Sequence, residues 1–381
     1  MSNLTRTSKV ARVSINVTVI SLVLYSIIYF SFPGIVKTLT NLFPKEEKAN
    51  FLFGTLPKIK FNSFIIGADT TPTYELNTPT GRLPSDITKK LFNVYKVVQP
   101  TQSFSAGKQA QAKAQKFAFT DNELASGLTG NIYKWIDTKR SRTLEINIVT
   151  NTMNLNTNLS QLEGRFLNDP RLTDEAQPAN LIGRLREFGF FQDPLYQKRG
   201  VPRIIYGKYF NGRIEETTTP QDYTFAKLDV FRTVFQVPIV GPRYDEGLLG
   251  VTIAKPKDDQ DLKIVKLTAH EWTIVTDLTG TKIGTYPTLS VDEAWKQVTL
   301  NKGFFSKLKL RKTGSQFEAY QPISIARVSI EKVYLAYFDS WEYQEVMQPI
   351  YVFQGTFNAT DGNLGDVAIY YPAIHPSYIK Q

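Results

Sequence analysis

The chain has 381 residues, 42% hydrophobic and 13% aromatic, which is enough for two domains or one elaborate one. Charged residues at 21% argue against global disorder, and the lack of cysteine excludes disulfides, thiolate catalysis and cysteine-ligated metal sites. The formal charge of +10 suits anionic neighbours such as phospholipid heads or wall polymers, but it is too diffuse for nucleic acid, which requires clustered Lys and Arg.

Residues 1–12 carry Arg6, Lys9 and Arg12 and no acid, and residues 13–36 carry no charge. The apolar core of that stretch, about 15–32, has the length of a membrane span, and Pro33–Gly34 ends it. The reading is a single transmembrane helix over 13–34 that anchors the chain in the lipid bilayer. A cleaved signal peptide is the rival, but its apolar centre is shorter and ends in small residues, whereas this one ends in "YFSFPG". With positive charge inside, 1–12 becomes a cytoplasmic tail and the bulk of the chain lies outside the cell membrane. Residues 35–60 read as a stalk whose "FLFGTLPKIKF" docks as an extended segment.

Beyond the stalk, strand-like runs dominate. "TYELNTPTGRLP" and "LFNVYKVV" predict a hairpin, and "SAGKQAQAKAQKFAF" predicts a helix capped by Ser105. "NIYKWIDTK" and "TLEINIVTNTMNLNTNL" alternate as a second hairpin. An internal echo follows: "EINIVTN" at 145–151 matches "EWTIVTD" at 271–277. Each precedes a helix containing "DEA", at 174–176 and 292–294, and each helix runs into "GFF", at 189–191 and 303–305. Ser290 and Glu293 have capping-box spacing. Long strands at 225–240 and 325–343 come next, and closing strands "GLLGVTIA" and "GDVAIYYPAI" complete each copy. The predicted fold class is α+β: one N-terminal transmembrane helix, then tandem modules of antiparallel sheet, each covered by a helix. The modules are a first α+β region, 61–258, and a second, 259–381, with "KPKDDQD" as the linker between them.

The residues "EWTIVTDLTGTKIG", "SVDEAWKQV" with its "NKGFF" end, "VSIEKVYLAYF" and "MQPIYVFQG…GDVAIYYPAI" resemble the PepSY-like and YycH/YycI-like extracytoplasmic regulators of bacteria. The resemblance covers about 115 residues, 261–374, and its motifs are structural. It implies a protein that binds and restrains membrane proteins or proteases. Long insertions such as 191–222 depart from the pattern.

Catalytic signatures are missing from the sequence. There are two histidines, His270 and His375, and no HExxH, GxSxG or GxxxxGK[ST]. The carboxylate neighbours Asp292/Glu293, Glu215/Glu216 and Asp258/Asp259 point to different faces and form no acid/base pair. "DGNLGD" lacks the order of a calcium loop and reads as a turn. No catalytic, cofactor or metal residue is therefore assigned. The one candidate surface is the basic run around "SKLKLRKTG", with Lys302, Lys307, Lys309, Arg311 and Lys312 as possible contacts to an anionic surface. The alternative for that run is a strand edge blunted by lysines. The expected function is a non-enzymatic, membrane-anchored binding or regulatory protein acting through protein or envelope-polymer contacts. The alternative is a structural scaffold of an envelope or secretion assembly.

Overall fold

A computed structural model describes residues 14–22, 26, 48–67, 71–87, 91–101, 103–125, 128–190, 193, 195–196, 201–210, 213–276 and 283–380. The chain divides into two units, residues 1–48 and 49–381. In the first, residues 14–22 and Ser26 are helical. Among the described residues no helix is long and apolar enough to cross a membrane. The predicted single-pass anchor over 13–34 is corrected accordingly, because the described helical run is less than half the about 20 residues a span requires. The cytoplasmic tail, the bilayer contact and the extracytoplasmic placement rested on that anchor and fall with it. The remainder of 13–34 lies outside the described residues.

The second unit is built on strands. In chain order they are β1 (Thr73–Leu76), β2 (Leu91–Lys96), β3 (Ile132–Asp137), β4 (Arg142–Asn147), β5 (Met153–Thr157) and β6 (Val201–Phe210). Then come β7 (Arg213–Glu216), β8 (Phe225–Val234), β9 (Val237–Val240), β10 (Leu249–Ala254) and β11 (Ile264–Ala269). The last five are β12 (Ile283–Pro287), β13 (Phe304–Leu310), β14 (Ile325–Phe338), β15 (Val346–Ala359) and β16 (Leu364–Pro372). The described α-helices of this unit are α1 (Ala106–Lys116), α2 (Leu172–Glu175), α3 (Pro178–Glu187) and α4 (Val291–Gln297).

All sixteen strands connect through hydrogen-bonded neighbours into one large mixed sheet. One half is antiparallel throughout, in the order β3-β4-β5-β11-β10-β8-β6-β7. The other half centres on the β14–β15 pair, with β16 and then β13 beyond β15. The β2–β12 pair joins at the start of β15. Both β1 and β9 lie parallel to β14, which makes the sheet mixed. Tandem modules of antiparallel sheet, each under its own helix, are therefore not what forms. Distant strands pair instead: β2 with β12 and β15, β5 with β11, and β9 with β14. The β10–β11 hairpin spans the connection at 258–259. The predicted hairpin of "TYELNTPTGRLP" with "LFNVYKVV" does not form either, since β1 pairs with β14.

Side-chain alternation explains the halves. In β4 and β5 every second residue is buried, and Leu144, Ile146, Met153 and Leu155 join Leu228, Val251 and Leu267 in one core. α1 places an alanine every four residues against it, Ala106, Ala110 and Ala114, so its backbone can approach the sheet closely. β15 differs because its first eight residues are all buried. Tyr351 and Phe353 fill one core while Ile350 and Val352 fill another, as an apolar run between two layers must. Gly355 is needed where β15 passes β14: a Cβ there would lie 1.9 Å from the Ser329 carbonyl oxygen.

The echo is uneven in three dimensions. "EINIVTN" continues from strand into turn, whereas residues 270–276 form only an isolated bridge, Ile274 to Val97. Ser290 and Glu293 do make a reciprocal capping box. Gly189 is left-handed at φ 88°, but at the second "GFF" the left-handed residue is Asn301, inside a π turn, and Gly303 is extended. The predicted strand over 225–240 is two strands, β8 and β9, reversed at Phe235–Gln236 with positive φ at both residues.

The halves meet at a buried ion triad. Arg232 of β8 donates from Nη1 to Asp193 (2.6 Å) and to the Trp272 carbonyl (2.6 Å), and from Nη2 to Asp339 (2.5 Å) just past β14. All three charged side chains are 2% exposed or less. The Tyr196 ring lies 5.0 Å from the guanidinium. Burial pushes the Asp339 carboxyl up and the guanidinium opposes that, while neighbouring acids hold Arg232 firmly charged. Removing one member of such a set strands the others without water. Arg232→Met should lower stability by about 3–5 kcal/mol in urea unfolding. A loss below about 1 kcal/mol would show that the triad does not hold the halves together.

Candidate functional site

The basic run noted in the sequence becomes β13 and the turn after it. Phe305 and Leu308 turn into the core, and the alternation sends Lys307 and Lys309 to the opposite face. Among the described residues β16 is the only strand that β13 pairs with. Its outer edge is held near the start, where Phe64 N donates to the Phe305 carbonyl and Tyr244 N to that of Ser306. At the other end Gly314 N donates to the Leu310 carbonyl, and between these contacts the edge faces a cavity of about 830 Å³. The other walls are residues 213–215 of β7, the turn at 243–246 and the loop at 313–324.

Three of the five flagged cations are already paired. Lys307 reaches Asp245 at 3.0 Å and Asp366 at 3.6 Å, Lys309 pairs with Glu216, and Arg311 pairs with Asp366 at 2.8 Å. Asp245 also takes Arg203 at 2.7 Å. Lys302 and Lys312 are exposed and belong to none of the described ion pairs. The structure thus links Lys307 and Arg311 through Asp366, pairs Lys309 separately with Glu216, and leaves Lys302 and Lys312 outside both.

The loop over the cavity is pinned from both sides. Ser315 Oγ donates to the Ile214 carbonyl (2.6 Å), and Ile214 N donates to Glu318 (2.7 Å). Gln316 N donates to Glu216 (2.9 Å). On the other side Tyr320 donates to the Ile65 carbonyl (2.8 Å) and packs on Phe64, whose ring lies 3.6 Å from the Arg243 guanidinium. Gln316 itself lines the cavity, and both ends of its carboxamide are buried with no partner among the described residues. Buried amide groups almost always have partners, so an unpaired donor and acceptor in a cavity wall mark a place for a complementary group.

No protein-family model and no curated protein matches this chain. Among solved structures, an uncharacterized protein from Eubacterium rectale ATCC 33656 aligns at 12% identity over 76% of this chain and 86% of its own, with a TM-score of 0.38. A similarity that loose carries no argument. No family finding supports the PepSY-like description, and it is taken no further.

A second polar region lies on the face of the antiparallel half away from its core. Leu228 and Val230 of β8 face the core, and Lys227 and Asp229 face the other way. Asp229 is 3% exposed, 3.4 Å from Lys227, and accepts from Gly247 N at 3.1 Å. They line a hollow of about 330 Å³, which adjoins another of about 320 Å³. The two share Asn154, His270 and Trp341. His270 bridges them, with Nδ1 2.8 Å from the Trp341 carbonyl and Nε2 3.2 Å from Asn154 Oδ1, and burial lowers its pKa. Among the described residues no group of three or more His, Asp or Glu is arranged to hold a metal ion.

Sequence reasoning missed Asp229, Lys227 and Gln316. A signal existed for the first two: "FAKLDVFRTVF" sets Lys, Asp and Arg inside an otherwise apolar strand, and buried charges require partners. Gln316 sits in an irregular loop with no pattern to reveal it.

Burial, and then the charge of Glu246, pushes the Asp229 carboxyl up to about 6, against the pull of Lys227 and Gly247 N. The folded chain therefore binds this proton between pH 3.8, the ordinary value, and about 6, where the unfolded chain releases it. The stability this contributes is full below the ordinary value and is lost as pH rises through about 6. Asp229→Asn should gain on the wild type, by up to roughly 3 kcal/mol, as pH rises across that window, with the gap level above it. Urea unfolding of both proteins across the window checks this. A gap that is flat or shrinks with pH contradicts it.

Proposed function

We propose that the chain is a binding protein, regulatory in role, that takes an extended peptide segment of a protein partner along the outer edge of β13. Such a segment adds a strand to an open sheet edge, with main-chain hydrogen bonds supplying affinity and the flanking side chains supplying selectivity. The observation that carries this reading is Gln316, a residue of the cavity wall whose buried carboxamide has neither donor nor acceptor partnered among the described residues. A peptide group offers the matching acceptor and donor in one unit.

The cavity wall also favours a binding role. Lys307 and Lys309 in that wall are held by acids, so they set a fixed polar frame for a neutral backbone. The volume lies within the range of ordinary ligand sites. The loop at 313–324 is anchored to both β7 and the segment at 63–66, so the site needs little ordering on binding.

Panning a random peptide library against the full chain tests this. Enriched peptides should lose binding when every second backbone nitrogen is methylated in one register and keep it in the other, because only one edge of an added strand pairs. Gln316→Ala should weaken the same peptides roughly tenfold. Methylation that is harmless in both registers, or peptides indifferent to Gln316→Ala, would defeat the proposal.

A further inference from the structure

The polar face of the antiparallel half carries a row of residues in register running across the strands. In register they are Lys134 on β3, Glu145 on β4, Asn154 on β5, Thr268 on β11, Gly250 on β10, Asp229 on β8 and Arg203 on β6. Each step is one strand spacing, about 4.8 Å. That spacing is close to the advance of one pyranose ring along an extended glycan. The middle of the row, Asn154, Thr268 and Gly250, opens into the first of the two hollows.

The chemistry of the hollows fits the same ligand. Amide and hydroxyl groups line them, with Thr150 and Thr152 joining Asn154 and Thr268. Charges of both signs are present, and the half-buried Glu145 is already paired with Lys134 at 2.8 Å. Trp341 borders both hollows, half-buried, with its carbonyl fixed by His270. An aromatic ring beside a row of hydroxyls and amides is what a sugar requires, since it presents a C–H face to stack on the ring and hydroxyls that donate and accept. A flat peptide strand has no use for a row perpendicular to the sheet strands, because an added strand runs along them.

We infer that this face is a second binding site, for a neutral oligosaccharide laid across the strands with one ring against Trp341. It lies on the other side of the 243–247 turn from the cavity at β13, and Glu246 borders both. Gly250 lets the Asp229 carboxylate lean over its strand, since a Cβ there would come 2.7 Å from Asp229 Oδ1.

Calorimetric titration of the full chain with cello-, chito-, malto-, manno- and xylo-oligosaccharides of four units tests the assignment. At least one should saturate in the millimolar range or below, and its monosaccharide should bind roughly tenfold more weakly or not at all. Trp341→Ala should abolish that binding, and Thr268→Val, which keeps the side-chain volume, should weaken it several-fold with little change in thermal unfolding. Failure of every oligosaccharide to saturate overturns the inference, as does binding that both variants leave unchanged.

Discussion

Arg232 is the constraint on which the arrangement rests. A guanidinium cannot shed its proton, so a buried one must find anions or unfold the site around it. Here the anions come from elsewhere in the chain: Asp193 before β6 and Asp339 after β14, with the Trp272 carbonyl after β11. The antiparallel half supplies the cation and the β14 half one of its carboxylates. Around them lies an apolar core that draws on both, with Val234, Leu248 and Trp272 against Tyr337, Met347 and Phe92. Strand pairing alone would join the halves weakly, since β9 and β14 share only two residue pairs.

The cavity at β13 follows from that joint. β7 ends one half of the sheet and β13 ends the other, each with one ladder partner among the described residues. Once Arg232 fixes the halves, these two edges stand across a gap from each other. The gap is bridged by Lys309 to Glu216 and roofed by the loop at 313–324. Open edges are ordinarily hazards, blunted by lysine or covered by loops. Both devices are present here, yet they stop short of closing the space.

Much of the local structure was legible. Alternation marked β3, β4 and β5, the density of Ala, Gln and Lys marked α1, and Ser290 with Glu293 marked the start of α4. Partnership was not, because register between strands as far apart as β2 and β12 depends on a shared core that no short window reveals. Phe235–Gln236 escaped notice because such turns ordinarily carry Asn or Gly, so β8 and β9 read as one strand. The apolar stretch at 13–34 satisfied a length rule for a membrane span that the described helix does not meet. At the site, the cations of β13 were visible in sequence, but their meaning lay in Glu216, Asp245 and Asp366, each far away along the chain.

The most direct test is a distance. The chain has no cysteine, so the exposed residues Glu215 and Lys312 can be replaced by Cys and spin-labelled without removing any other thiol. Pulsed electron resonance should then give one narrow distance across the gap between β7 and β13. That distance should broaden when Arg232→Met is added. A distribution already broad without the change, or one that stays narrow with it, would contradict the account that the buried triad sets the geometry of the site.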